Sequence, residues 1–64
     1  MPDITLYNGR SRDAIFAETP KGRAWILNAT DKHFDGGRAF TCSKEETRDI
    51  EFLAKQDGLE VEIK

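Results

Sequence analysis

The chain has 64 residues, 38% of them hydrophobic, with one cysteine, one histidine and a formal net charge of −2. With only one cysteine the chain cannot form an intrachain disulfide. With only one cysteine and one histidine it cannot form a zinc site of the cysteine and histidine kind. The slightly acidic balance disfavours the dense basic surface of a nucleic-acid-binding protein. We therefore expect one small domain over residues 1–64, with no metal and no other cofactor, for which self-association is the remaining aid to stability.

The first eighteen residues carry the pattern of two strands. Residues 3–8 alternate isoleucine and leucine with threonine and tyrosine, which is the two-residue period of a half-buried strand. Asn8 and Gly9 then form a strong turn signal. The polar residues 10–12 prolong this turn. A second strand is therefore expected over residues 13–18, paired antiparallel with the first through a loose loop.

The segment 19–29 carries the pattern of a helix. Thr19 is a good N-cap, and the proline that follows it is favoured at the first helical position. On helical spacing Gly22, Trp25 and Ile26 form one stripe, in which the glycine permits close approach to a sheet and the tryptophan supplies a large buried surface. We therefore expect a helix over residues 19–29, with Trp25 as a core anchor.

The same segment also fits one arm of a β-hairpin. Pro20, Lys21 and Gly22 are good turn residues, and they would join residues 14–18 to residues 23–28. On strand spacing, however, apolar and polar residues separate less well than on helical spacing. If the hairpin forms, the fold is mainly an antiparallel sheet with one helix.

The C-terminal third carries the pattern of a strand, a helix and another strand. Residues 38–42 alternate as a strand does, and residues 43–57 form a helix that opens with a serine-to-glutamate capping box and ends before Gly58. Residues 59–63 alternate three apolar residues with two glutamates. The helix is long enough to be a crossover connection, so these elements predict a βαβ unit.

The six elements predict an α+β fold in two layers. Their order along the chain is ββαβαβ, with about four strands in a mixed sheet and both helices on one face of that sheet. The polar stretch at residues 30–37 is expected to be a loop. The expected core consists of Ile15, Trp25, Ile26, Ile50, Leu53 and Val61.

Long apolar runs are absent from the sequence. The N-terminal residues lack the basic and apolar segments of a secretory signal, and no stretch approaches the ~20 apolar residues of a membrane-spanning helix. We therefore expect a cytoplasmic protein whose partners do not include a membrane.

A short motif and the C-terminal pattern together resemble a group of small proteins. The motif has the form Thr-x-x-Gly-Arg-x-Trp-Ile, made by Thr19, Gly22, Arg23, Trp25 and Ile26, and the later pattern is made by Gly58, Leu59, Val61 and Ile63. Over about residues 16–64 the chain resembles small uncharacterised open reading frames of phages and prophage-bearing bacteria. The resemblance implies a bacterial or phage setting and a two-layer α+β fold, and it implies no activity.

Phe52 is the residue that the core pattern leaves unexplained. At 100° per residue it points about 200° from Ile50, away from the inward stripe of its helix. Its ring either packs beside the first helix or under the loop at residues 31–37, or is exposed as a contact for a second copy or a partner protein. The leading hypothesis is a non-enzymatic protein-interaction module, a phage-encoded modulator of a host protein, with Phe52, Glu51 and Arg48 as candidate contacts. Homodimerisation through this helix would also hide the ring.

Two other functions have weaker signals. A nucleic-acid-binding protein would use basic residues that converge near the first turn and the start of the first helix: Arg10, Arg12, Lys21 and Arg23. An enzyme would use Cys42, which precedes a capped helix whose dipole favours a thiolate, together with His33 as a base. We expect instead that Cys42 is a small buried residue at a strand end, that His33 lies in a solvated loop, and that the chain is not an enzyme.

Overall fold

Four strands and two helices follow one another along the chain as the pattern predicts. The computed structural model describes residues 2–30 and 39–64. The elements are β1 (Ile4–Tyr7), β2 (Arg12–Ala17), α1 (Pro20–Ala29), β3 (Ala39–Ser43), α2 (Lys44–Gln56) and β4 (Val61–Ile63). Their ends differ from the predicted ends by at most two residues. Most of the expected loop at residues 30–37, with His33, lies outside the described residues.

The segment that fits two structures is a helix. Thr19 has extended backbone angles, and its Oγ1 accepts a hydrogen bond of 3.1 Å from the backbone N–H of Gly22. Pro20 follows at the first helical position, where its missing N–H costs nothing. The helix ends at Thr30, whose N–H donates to the carbonyl oxygen of Ile26. The hairpin alternative is therefore wrong.

The sheet is mixed and has the order β3-β2-β1-β4. β1 pairs antiparallel with β2, β2 pairs antiparallel with β3, and β1 pairs parallel with β4. β3 and β4 therefore run in the same direction at opposite edges of the sheet, and α2 carries the chain from one edge to the other. The predicted βαβ unit is present, with two strands lying between its own two.

Both helices cover one face of the sheet. The register places Ile4 opposite Ala17 and Leu6 opposite Ile15, and all four side chains are buried. Ile26 of α1, together with Ile50 and Ala54 of α2, joins the same buried cluster. Within the described residues, neither helix is long and apolar enough to cross a membrane. The predicted α+β architecture, a mixed sheet of four strands with two helices, is thus confirmed.

The expected core needs a correction at Leu53 and a refinement at Trp25 and Val61, which are partly buried and pack against the core. Leu53 is 43% exposed, because the buried residues of α2 are Thr47, Ile50 and Ala54, and a residue directly before Ala54 lies about 100° around the helix from it. Trp25 is half-buried at the margin of the core, and its Nε1–H donates a 2.7 Å hydrogen bond to Asp57 at the end of α2. The tryptophan therefore joins the two helices rather than filling the centre.

Gly22 permits a close approach between α1 and the start of β1. A methyl group on its Cα would overlap the backbone carbonyl oxygen of Asp3. In an open helix position alanine is more favourable than glycine by up to about 1 kcal/mol. Here the overlap with backbone atoms reverses that preference.

We expect Gly22→Ala to lower the free energy of unfolding by about 1–3 kcal/mol, the usual cost of overpacking. Urea denaturation followed by circular dichroism measures this change. Lys21→Ala, at the exposed neighbouring position, is the control and should change the stability by less than about 0.5 kcal/mol. A Gly22→Ala variant as stable as the wild type would show that the backbones separate at no cost.

Candidate functional site

Local hydrogen bonds fix both ends of α2, which carries the candidate contact residues. The Ser43 Oγ accepts from the N–H of Glu46 at 3.2 Å, and the Glu46 carboxylate accepts from the N–H of Ser43 at 3.4 Å, which completes the predicted capping box. At the other end Gly58 adopts a φ of 86°, and the N–H of Leu59 donates to the carbonyl oxygen of Ala54. α2 is therefore a well-defined platform.

Phe52 is exposed on the outward face of this platform. Its side chain has 66% of its surface accessible, the largest exposed fraction among the exposed large apolar residues of the described chain. It lies two positions, or about 160° around the helix by the shorter way, from both Ile50 and Ala54, whose side chains face the sheet. The interpretation in which the ring packs beside α1 is therefore not realised. Leu53, 43% exposed, extends the apolar surface at its side.

Arg48 and Glu51 lie on the flank of α2 that faces a cleft. The Glu51 carboxylate accepts a 2.7 Å hydrogen bond from the Lys55 ammonium one turn later. The cleft, of about 230 Å³, is bounded by α2 and by the ends of β1 and β4. Its lining residues are Leu6, Asn8, Asp13, Lys44, Thr47, Arg48, Glu51 and Ile63. The three predicted contacts thus share a helix, but only Phe52 points fully outward.

Asp13 and Lys44, two of the charged residues that line the cleft, are engaged in structural bonds. The Lys44 ammonium lies 2.7 Å from the Asp13 carboxylate and 2.7 Å from the carbonyl oxygen of Gly9. The same carboxylate accepts the N–H of Gly9, and Asp13 is 4% exposed. The cleft volume is also below the ~300 Å³ at which small-molecule sites usually begin. These contacts tie the β1–β2 turn to α2 and leave little space for a ligand.

The structure does not bring the four candidate nucleic-acid contacts together. β2 begins at Arg12 and runs toward α1, so Arg10 and Arg12 lie at one end of the sheet. Lys21 and Arg23 lie in the first turn of α1, at the other end. Six strand residues separate the two pairs by roughly 17 Å. The four basic side chains therefore do not converge, because the two pairs lie at opposite ends of β2.

Cys42 is fully buried, and its Sγ lies 3.1 Å from the hydroxyl oxygen of Thr47. This matches the prediction of a small residue at a strand end and leaves no access for a substrate to the thiol. His33, the base that a thiol enzyme would need, lies outside the described residues. Within residues 2–30 and 39–64, no three side chains of the metal-binding types come close enough to hold an ion.

An aromatic pair on the sheet was not predicted from the sequence. Tyr7 and Phe16 lie on the face away from the helices, with ring centroids 5.1 Å apart and planes at 72°. The sequence alone could have indicated this pair. In strands that alternate, with Ile4, Leu6 and Ile15 facing the helices, Tyr7 and Phe16 point to the opposite face. An antiparallel hairpin then makes them diagonal neighbours.

Comparison with known proteins returns no match, since no protein-family model fits the sequence and no curated protein or solved structure is significantly similar to it. Function is therefore inferred from the geometry and the sequence pattern of this chain.

We expect the free energy of unfolding to fall when the pH is lowered below about 4. The pKa of Asp3 lies below its usual 3.8, mainly because Thr19 donates a hydrogen bond to the carboxylate and then because the N–H of Glu60 does. The pKa of Asp13 is also lowered, first by the hydrogen bond from Lys44 and then by that from Gly9. The unfolded chain therefore takes up protons first as the pH falls.

The stabilisation from these carboxylates is complete above their ordinary pKa and is lost as the pH passes through the lowered values. Urea titrations from about pH 7 to about pH 2 measure it. Asp3→Asn and Asp13→Asn should each lower stability at neutral pH and flatten the acid dependence. Two variants with the same acid dependence as the wild type would assign acid unfolding to other groups.

Proposed function

We propose that the chain is a non-enzymatic protein-interaction module that acts in the bacterial cytoplasm as a phage-encoded modulator of a host protein. The observation that carries this proposal is the exposed ring of Phe52 on the outward face of α2. Exposed aromatic residues on a rigid element are typical anchors of protein interfaces. The resemblance to phage and prophage reading frames supports the setting.

The contacts of Phe52 within the chain do not explain why a phenylalanine occupies this position. Two thirds of its side-chain surface remain accessible, and the ring lies opposite the buried stripe of α2. Phenylalanine is also a weaker helix former than alanine. A residue that adds little to the core and disfavours its own helix is better explained by a contact made outside the chain.

The surroundings of Phe52 suit a small interface with the ring at its centre. Arg48 and Asp49 precede it by one turn, and Lys55 and Gln56 follow it by one turn, so four polar side chains surround one aromatic ring. An apolar centre with a polar rim of both signs is the usual composition of a protein interface. Glu51, bonded to Lys55, adds a positioned carboxylate on the cleft side.

We expect Phe52→Ala to leave the free energy of unfolding within about 0.5 kcal/mol of the wild type, because little burial is lost and helix propensity improves. Thermal and urea unfolding measure this. Ile50→Ala, which removes a buried side chain from the same helix, should cost about 2–5 kcal/mol. A comparable loss in Phe52→Ala would give the ring a structural role and remove the main support for an interface.

The binding test is co-purification of the tagged chain from the bacterial host. We expect a host protein whose recovery falls at least about tenfold with Phe52→Ala. Leu27→Ala removes a leucine of α1 that is 46% exposed, and recovery should be unchanged. The recovered protein is then purified, and its Kd for each variant is measured by calorimetry. A change of tenfold corresponds to about 1.4 kcal/mol. Equal Kd values for Phe52→Ala and the wild type would contradict the proposal.

Nucleic-acid binding through Arg10, Arg12, Lys21 and Arg23 is the competing hypothesis. We expect no binding to single- or double-stranded DNA or RNA at about 50 mM salt, because the net charge is −2 and the two basic pairs do not form one dense basic patch. Fluorescence anisotropy measures this. Binding that weakens with salt and is lost when the four residues become alanine would favour the competing hypothesis.

A further inference from the structure

One face of the sheet carries no helix in the described part of the chain. We call it the open face, and the residues whose position in the strands places them on it are Thr5, Tyr7, Ala14, Phe16, Ala39 and Thr41. Thr5 is buried beneath its neighbours, and its hydroxyl donates a 3.2 Å hydrogen bond to the Glu18 carboxylate. Tyr7 is 39% exposed, Phe16 is half-buried, and Ala14 and Ala39 beside them have little side chain to cover the backbone. The rings of Tyr7 and Phe16 therefore protrude from the open face, and the surface beside them at Ala14 and Ala39 is lower.

The strand register makes the open face self-complementary in shape. One row across the sheet has its side chains on the helix side and consists of Leu6, Ile15, Phe40 and Ile63. Open-face residues lie one step above or below this row. A second copy can be rotated by 180° about an axis along this row, so that the two open faces meet. Each residue one step above the row then lies over a partner residue one step below it. Phe16 then lies over the partner's Ala14, and Tyr7 lies over the partner's Thr5.

The same axis also matches the charges. Lys64 continues the β1–β4 ladder, because its N–H donates to the carbonyl oxygen of Leu6 at 2.7 Å, so its side chain points to the same face as that of Glu62. These two residues lie on opposite sides of the central row, and the axis places Glu62 over the partner's Lys64. Arg12 and Glu18, three steps from the row on either side, are placed opposite each other in the same way. Within its own chain the Arg12 guanidinium donates to the carbonyl oxygen of Thr41, and the Glu18 carboxylate accepts from the Thr5 hydroxyl.

The other in-plane axis gives no such match. A two-fold axis along the strands would keep each residue at its own end of the sheet. Arg12 would then face the basic end of the partner's sheet, and Glu18 would face the acidic end. Like charges across an interface are unfavourable. Both axes keep the strands of the facing sheets within about 30° of one another, as facing sheets normally do, so the charges decide between them.

We propose that the open face binds a second copy of this chain, sheet to sheet, about the axis along the central row. This proposal does not depend on the proposed function, since Phe52 lies on the opposite layer. Four strands of about five residues outline a face of roughly 300 Å², well below the ~800 Å² per partner of a standard interface. The dimer is therefore weak, and its Kd lies in the micromolar range or above.

Sedimentation equilibrium from about 10 µM to about 1 mM tests the proposal. We expect the mean mass to rise from one chain toward two over this range and the Kd to increase with salt. Glu62→Lys places two like charges in contact twice and should weaken the dimer at least about tenfold. The double variant Glu62→Lys with Lys64→Glu restores opposite charges and should return the Kd to within about threefold of the wild type. Both residues are exposed, so the fold should tolerate these changes.

Phe52→Ala should leave the dimer unchanged. A dimer that is lost in Phe52→Ala and kept in Glu62→Lys would place the interface on α2 and overturn the proposal. A chain that stays monomeric at 1 mM, or a double variant no better than Glu62→Lys, would also overturn it. If the chain is monomeric and binds oligothymidine only while Tyr7 is present, the open face is a nucleic-acid surface instead.

Discussion

The carboxylate of Asp3 holds together the elements on which the fold depends. Its two oxygens accept hydrogen bonds from the Thr19 hydroxyl at 2.6 Å and from the N–H of Glu60 at 3.1 Å. The backbone of Asp3 donates to Glu60 and accepts from Glu18, and Gly22 packs against its carbonyl oxygen. One residue thus joins the start of β1, the end of β2, the N-terminus of α1 and the approach to β4. Thr19 serves twice, because its oxygen also caps α1.

A second carboxylate does the same at the opposite end of the sheet. Asp13 accepts from Lys44 and from the N–H of Gly9, so it binds the β1–β2 turn to the first residue of α2. With Asp3 near one end and Asp13 near the other, the two helices are fixed on the sheet by polar bonds at their N-termini as well as by the shared core. This matters for a 64-residue chain, whose core alone is small. It also explains why the orientation of α2, and hence of Phe52, is well defined.

Signals that act within a few residues were readable from the sequence. Thr19 before Pro20, and Ser43 three residues before Glu46, place both helix starts correctly because a cap is satisfied by its own turn. The bonds of the Asp3 carboxylate span 16 and 57 residues, and the bond between Asp13 and Lys44 spans 31 residues, so no local pattern in the sequence indicates them. The expected convergence of basic residues failed for the same reason, because it depended on which end of a strand each residue occupies. The helical angle placed Phe52 away from the buried stripe of α2, but it left open whether the ring packs elsewhere, and the structure shows that it is exposed.

The two proposed surfaces lie on opposite layers of the molecule, and this arrangement has a consequence. The open face belongs to the outer side of the sheet, and Phe52 belongs to the outer side of the helical layer. If two copies pack through their open faces, both α2 helices point away from the dimer axis and remain accessible. Such a dimer presents two identical contacts that are held at a fixed separation, and a partner that is itself a symmetric oligomer would bind it more tightly than one chain alone. A weak sheet-to-sheet contact would then be strengthened by the partner, since any partner that holds two chains raises their effective concentration.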